Sequence, residues 1–83
     1  MIVVYGVPGC GSCERAIALA ERYALKYEYV NVLANDENRK EFDSKFPGEL
    51  VVPQILWYGR HVGGYNELAK EIDDTRNYGD GQI

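Results

Sequence analysis

The sequence has no long apolar run, no cluster of basic residues and only two cysteines. Its most apolar stretch at the start, residues 1–4, is far shorter than the ~20 residues that a membrane-spanning helix needs. Acidic residues outnumber basic ones, 13 to 9, for a formal net charge of −4 at pH 7. Nucleic acids and anionic membranes are bound through clustered Lys and Arg side chains, so neither is expected as a partner.

The length of 83 residues suits one domain with a small core. No segment resembles an export signal, so the expected compartment is the cytoplasm. Permanent disulfides are rare in that reducing compartment. The two cysteines are therefore expected to be catalytic or metal-binding.

The order of sequence patterns predicts an α/β fold. β-Branched and alternating segments predict four strands, at 2–5, 27–32, 54–58 and 60–62. Helix-forming segments predict three helices, at 13–25, about 36–46 and 66–73. The order βαβ then ββα requires a parallel pair with a right-handed crossover, followed by an antiparallel hairpin. We therefore predict a four-stranded mixed sheet with helices on both faces, a three-layer sandwich.

Apolar residues at helical spacing identify the faces of the first two helices that are expected to be buried. Ile17, Ala20 and Ala24 form one face of the first helix, and Phe42 and Phe46 form the buried pair of the second. The last stretch, DTRNYGDGQI, is polar and has no apolar period. The domain is therefore predicted to span 1–73 and to be followed by a flexible tail, 74–83.

Both cysteines lie in one Cys-x-x-Cys unit, within GVPGCGSCERA. The predicted elements place Cys10 in the loop after the first strand and Cys13 at the first position of the following helix. The first N–H groups of a helix have no internal partner and carry partial positive charge. The amides of Ser12 and Cys13 are therefore expected to stabilise a thiolate on Cys10. This geometry predicts that Cys10 is the nucleophile and that the less exposed Cys13 is the resolving thiol.

Two other interpretations of the cysteine pair are a metal site and an inert buried pair. A closed zinc site needs about four ligands, and the sequence offers one cysteine pair and a single histidine, His61. No metal site is expected, and His61 is interpreted as a polar strand residue. Inert cysteines would need shielding, which the small neighbours Gly9, Gly11 and Ser12 do not provide. A Cys-x-x-Cys next to a βαβ pattern favours redox chemistry.

Three separated motifs carry a family resemblance: VVYGVPGCGSC, VVPQIL and HVGGYNEL. From residue 2 to about 73 the sequence resembles dithiol glutaredoxins of the bacterial and phage type, within the thioredoxin-fold superfamily. The resemblance implies a thioredoxin-like fold and a glutathione-dependent thiol–disulfide oxidoreductase that carries electrons to protein disulfides and glutathione mixed disulfides. The implied partners are glutathione and disulfide-containing proteins such as ribonucleotide reductase, and a monomer is expected.

The same resemblance implies a glutathione site. Pro53 matches a proline whose peptide bond is cis in the family, and the backbone of Val52 would pair with the cysteinyl part of glutathione. Gly63-Gly64 would allow a close approach, the amide of Asn66 would hold the γ-glutamyl carboxylate, and Glu67 would meet its ammonium group. The full set of binding residues implied in this way is Ser12, Val52, Pro53, Gly63, Gly64, Tyr65, Asn66 and Glu67.

The sequence departs from the family pattern at three places. Val7 stands where members often carry Lys or Arg, Gly11-Ser12 replaces the usual Pro-Tyr, and Val51 replaces a common Thr. Two alternatives therefore stay open. One is a redoxin of similar shape that is reduced by thioredoxin reductase. The other is a carrier of a [2Fe–2S] cluster held with glutathione between two subunits, for which Gly11 leaves space.

Overall fold

Four strands and three helices make up the described part of the chain, and the predicted order of elements is confirmed. The computed structural model describes residues 1–49 and 51–82, with side chains up to Asp74. The strands are β1 Ile2–Gly6, β2 Tyr27–Asn31, β3 Gln54–Trp57 and β4 Arg60–Gly63. The helices are α1 Gly11–Arg22, α2 Asp36–Lys45 and α3 Tyr65–Gln82.

The strands form one mixed sheet in the order β2-β1-β3-β4. Strand β1 pairs parallel with β2 and antiparallel with β3, while β3 pairs antiparallel with β4. Tyr58 and Gly59 join β3 to β4, with φ of 51° and 90°. Positive φ at both central residues is typical of the type I′ turn, whose twist matches that of a two-residue hairpin. The predicted four-stranded mixed sheet is therefore confirmed.

Each face of the sheet has its own core. Because side chains alternate along a strand, Ile2 and Val4 point to one face of β1 and Tyr5 to the other. The first face packs against α1 and α3 through the buried residues Ile2, Val4, Ala16, Ile55, Leu68 and Ile72. The second packs against α2 through Tyr5, Val32, Phe42 and Phe46. The three layers and the buried Phe42–Phe46 pair are as predicted.

Helix α1 ends earlier than predicted. The Ala24 N–H donates to the Glu21 carbonyl at 3.0 Å and the Leu25 N–H to the Ala20 carbonyl at 2.9 Å. This hydrogen-bond pattern, with Ala24 at a φ of 56°, is that of a Schellman motif. The prediction that Ala24 lies on the buried face of a helix reaching Leu25 is wrong, because the chain reverses at Ala24 and leaves it exposed.

Helix α3 ends later than predicted. It runs to Gln82, so the prediction that it ends near Asp73 is wrong. No proline interrupts this stretch, and backbone hydrogen bonds can continue past Ile72, the last residue of the core. The flexibility expected of 74–83 stays a prediction, and Ile83 lies outside the described residues. Within the described part of the chain no helix has both the length and the apolar character to cross a membrane.

Replacing Ala24 with glycine is expected to raise the free energy of unfolding by about 0.5–1 kcal/mol. An L-residue in the left-handed region costs ~1–2 kcal/mol, and the greater freedom of unfolded glycine offsets part of the gain. Urea unfolding monitored by circular dichroism measures the change. Ala18→Gly, an exposed position within α1, is the matched control and should lose ~0.5–1 kcal/mol. An equal loss of unfolding free energy in both variants would contradict the left-handed conformation of Ala24.

Candidate active site

Cys10 lies at the N-terminal end of α1 and caps it. Helix α1 begins at Gly11, so Cys10 is the N-cap residue. The prediction that Cys13 is the first residue of the helix is therefore wrong. The physical reason is that Cys10 fills both roles of an N-cap. Its Sγ accepts a hydrogen bond from the Cys13 N–H at 3.2 Å, and its carbonyl accepts one from the Glu14 N–H at 3.0 Å.

The Cys10 sulfur combines exposure with a hydrogen bond from the helix backbone. The side chain is partly exposed. The amide of Cys13, one of the two predicted donors, points at it, and the positive end of the helix dipole adds to the effect. A hydrogen bond to a charged acceptor is stronger than one to a neutral acceptor. The helix end thus presents a hydrogen-bond donor and its positive dipole end to the Cys10 sulfur.

Cys13 has the opposite environment. Its side chain is 1% exposed and lies within α1 against the sheet. Burial, and then the hydrogen bond to Cys10, raises the pKa of the Cys13 thiol to about 11. Cys13 therefore holds its proton at neutral pH. Cys10 is thus the more exposed sulfur and Cys13 the less exposed one, which is the order expected for a nucleophile and a resolving thiol.

The space occupied by the Cys13 sulfur exists because Gly6 has no side chain. A Cβ built on Gly6 would lie 2.5 Å from Cys13 Sγ and 3.4 Å from a ring carbon of Tyr29. Burial, and then the charges of Cys13 and Cys10, raise the pKa of the Tyr29 phenol. No sequence pattern indicates this contact, since a glycine at the end of a strand usually marks only a turn.

One wall of the site is the segment that carries Val52 and Pro53. The peptide bond between them is cis, as predicted from the family resemblance. Pro53 is buried and Val52 is half-buried, while Val51 is 65% exposed. The backbone of this segment therefore lies at the rim of the site.

The opposite wall is formed by Gly63, Gly64 and the start of α3. Gly63 has a φ of 122°, which a residue with a side chain rarely adopts. A Cβ on Gly64 would lie 3.5 Å from the Pro53 carbonyl oxygen, so the two walls approach closely here. The Gly64 N–H donates to Glu67 Oε1 at 2.8 Å. The Glu67 carboxylate is thus folded back over the N-terminal end of its own helix.

Between these walls lies a cavity of about 530 Å³. It brings together all eight residues predicted to bind a ligand: Ser12, Val52, Pro53, Gly63, Gly64, Tyr65, Asn66 and Glu67. It also has five lining residues that the sequence analysis did not assign to the site: Arg15, Glu49, Val51, Gln54 and His61. Gln54 and His61 belong to the motifs VVPQIL and HVGGYNEL, which could have indicated them. Nothing in the sequence indicates Arg15 or Glu49.

The charges that line the cavity are mixed. Arg15 is the basic side chain, and Glu49 and Glu67 are acidic. Across residues 1–49 and 51–74 no group of three or more His, Cys, Asp or Glu side chains is placed to hold a metal ion. The chemistry that the described side chains themselves offer here is that of two thiols beside a polar cavity.

Comparison with known sequences places this site in a family. The glutaredoxin family model matches residues 2–62. Glutaredoxin 1 of Escherichia coli K12 is 35% identical over 80 residues, which cover 88% of this chain and 93% of that protein. Glutaredoxin 1 of Rickettsia typhi is 34% identical over 76 residues, covering 90% of this chain and 73% of its own length.

Solved structures agree with the sequence matches. Reduced E. coli glutaredoxin has a TM-score of 0.71 and 32% identity, covering 92% of this chain and 96% of that one. A buckwheat glutaredoxin–glutathione complex has a TM-score of 0.74 at 21% identity, covering 89% and 69%, and is similar in fold. Since the family model matches most of the chain and relatives above 30% identity cover nearly all of it, the chain belongs to the glutaredoxin family and is a thiol–disulfide oxidoreductase.

Proposed function

We propose that the chain reduces protein disulfides and glutathione mixed disulfides with electrons from glutathione, with Cys10 as the nucleophile and Cys13 as the resolving thiol. The observation that carries this proposal is the contrast between the sulfurs. Cys10 is partly exposed and accepts an amide hydrogen bond, whereas Cys13 is 1% exposed. Attack on a disulfide requires an accessible thiolate, so the first step falls to Cys10.

With a protein disulfide the reaction uses both thiols. The Cys10 thiolate attacks one sulfur, the substrate S–S bond breaks, and the leaving thiolate takes up a proton. Cys13 then gives up its proton and attacks Cys10 Sγ, which releases the second substrate thiolate and leaves a Cys10–Cys13 disulfide. Two glutathione molecules reduce this disulfide in two exchange steps and leave as oxidised glutathione.

With a glutathione mixed disulfide one thiol is enough. The Cys10 thiolate attacks the glutathione sulfur and releases the deglutathionylated substrate. A second glutathione, as its thiolate, then attacks the Cys10–glutathione disulfide. The products are oxidised glutathione and the free Cys10 thiolate, and Cys13 takes no part.

The cavity supports glutathione as the reductant. We place the cysteinyl backbone of the tripeptide along Val52 and the γ-glutamyl carboxylate at the amides of residues 64–66. Free N–H groups at the start of a helix suit a carboxylate. Ser12 and Tyr65 border the same cavity and would contact the tripeptide. The buckwheat relative of similar fold is a complex with glutathione.

Glu67 has to move when a carboxylate binds at this helix end. Its Oε1 accepts the Gly64 N–H at 2.8 Å, so a ligand carboxylate at that amide displaces it. The released Glu67 side chain is exposed and can turn to the ammonium group next to the ligand carboxylate. An α-amino acid end, which carries both charges, therefore suits this site better than a carboxylate alone. Glutathione has such an end.

The protein partners we propose are disulfide-containing proteins, of which ribonucleotide reductase is the example that the family suggests. The proposed compartment is the cytoplasm, where glutathione is kept reduced. Cys10 must stay accessible to such partners, and its partial exposure at the end of α1 meets that requirement.

Linking glutathione to Cys10 in a Cys13→Ser variant is expected to shift the amide signals of Val52 and of residues 63–67. The tripeptide would lie against these backbones, and nuclear magnetic resonance of nitrogen-labelled protein reports each amide. The matched control is the mixed disulfide with 2-mercaptoethanol, which has the same S–S bond without the γ-glutamyl and glycyl ends. Shifts that are identical for the two adducts would rule out the proposed glutathione site.

A further inference from the structure

One buried amide side chain, Gln54, joins three segments beside the active site. It begins β3 directly after Pro53 and is 4% exposed. Its Nε2 donates to the Val51 carbonyl and to Glu49 Oε2, each at 3.1 Å. Its Oε1 lies 2.7 Å from His61 Nε2. A buried amide needs such partners, because an unpaired polar group in the interior is strongly destabilising.

These contacts fix the direction of each hydrogen bond. The Val51 carbonyl and the Glu49 carboxylate are both acceptors, so the amide nitrogen of Gln54 must face them. Its oxygen then faces His61, which has to donate from Nε2. The imidazole is therefore held with its proton on Nε2, pointing at Gln54.

His61 also contacts Phe46, the first residue of the connection 46–54 that leads to Gln54. It lies on β4 opposite Leu56, on the face of the sheet that packs against α2. Its ring centroid is 4.5 Å from that of Phe46, the buried residue that ends α2. His61 thus touches both ends of the connection 46–54, which carries the cis peptide bond at Pro53.

The residues of this connection that the structure describes contain little regular structure. Glu49, Val51, Val52 and Pro53 belong to no helix or strand. The Glu49 N–H donates to the Phe46 carbonyl at 3.1 Å, and Gln54 binds the side chain of Glu49 and the carbonyl of Val51. Side-chain contacts therefore contribute to where the Val52 backbone lies.

We propose that His61 and Gln54 are positioning residues for substrate. His61 donates to the Gln54 amide oxygen, and the oriented amide nitrogen holds the Val51 carbonyl, so that the Val52 backbone stays in place to pair with the substrate. This inference rests on the proposed function, in which the cysteinyl backbone lies along Val52. His61 touches no reacting atom, so its loss should change substrate binding and leave the chemical steps at Cys10 intact.

Two substitutions separate the hydrogen bond of His61 from its ring packing. His61→Phe keeps an aromatic ring against Phe46 and removes the donor, whereas His61→Gln keeps an amide donor near the position of Nε2 and removes the ring. With a glutathionylated peptide as substrate, His61→Phe is expected to raise KM by about three- to tenfold, the size of one lost hydrogen bond. Its kcat should stay within about twofold of the parent. His61→Gln should restore a KM close to that of the parent.

An increase in KM that is equal in both variants, or a loss in kcat alone, would overturn the positioning role. A second measurement needs no glutathione. In the free protein, His61→Phe should shift the amide signals of Val51 and Val52, and His61→Gln should leave them near their original positions. Unchanged signals in His61→Phe would refute the inference even if glutathione turnover is normal. Absence of glutathione turnover in the parent would refute the proposed function and leave this second test standing.

Discussion

Cys10→Ser is expected to abolish thiol transfer to every disulfide substrate, whereas Cys13→Ser removes only the reduction of protein disulfides. In the proposed mechanism the partly exposed Cys10 is the nucleophile, so without it both reactions should fall to the uncatalysed rate. A serine at position 13 leaves Cys10 and its amide donor in place. The mixed disulfide at Cys10 can still be attacked by glutathione in that variant.

Two parallel assays measure this difference. Release of glutathione from a glutathionylated peptide requires one thiol, and reduction of a protein disulfide such as that of insulin requires two. The Cys13→Ser variant should keep most of the first activity and lose most of the second. If Cys13→Ser were inactive in both assays while Cys10→Ser kept activity, the assignment of the two roles would be reversed.

Gly6→Ala is expected to disturb both the fold and the resolving thiol. The added methyl group would lie 2.5 Å from Cys13 Sγ, which is buried. Overpacking of this kind costs about 1–3 kcal/mol of unfolding free energy, and each kcal/mol lowers Tm by about 4–8 °C in a domain of this size. Reduction of protein disulfides should slow more than deglutathionylation.

Gly11→Ala is the matched control for this substitution. Nothing lies within 4 Å of a Cβ at Gly11, which is the first residue of α1 and adjoins Cys10. Its free energy of unfolding should be unchanged or up to ~1 kcal/mol higher. Thermal unfolding and the two activity assays apply to both variants. A Gly6→Ala protein as stable as Gly11→Ala would contradict the close contact between Gly6 and Cys13.

The order of elements could be predicted because each strand and helix has a recognisable local pattern. Alternation in β1 sends Ile2 and Tyr5 to different faces, and the spacing of Phe42 and Phe46 places both on one side of α2. These patterns need no knowledge of distant residues. The three layers of the fold can therefore be predicted from the sequence.

The ends of the helices were harder to predict. Ala24 occupies a left-handed position that glycine usually marks, so the end of α1 carried no signal. Cys10 serves as N-cap, although Ser, Thr, Asp and Asn are the usual residues there. In both places tertiary packing and backbone hydrogen bonds override the local preference of the side chain.

The residues of the site could be predicted where they belong to a recognisable motif. Cys10, Cys13 and the eight lining residues that were predicted come from motifs within single segments of the chain. The Gly6–Cys13 contact and the link from Gln54 to His61 join separate segments. The register between β3 and β4 shifts at Ile55 and Leu56, next to the second of these contacts. Spacing along the sequence does not determine such a shift.

The most direct test of the central claim is a turnover assay that compares the two sources of electrons. One reaction contains the protein, a protein disulfide, glutathione, glutathione reductase and NADPH, and the other replaces glutathione and its reductase with thioredoxin reductase. We predict NADPH consumption in the first reaction that depends on Cys10, with none above background in the second. Turnover supported by thioredoxin reductase and not by glutathione would contradict the account.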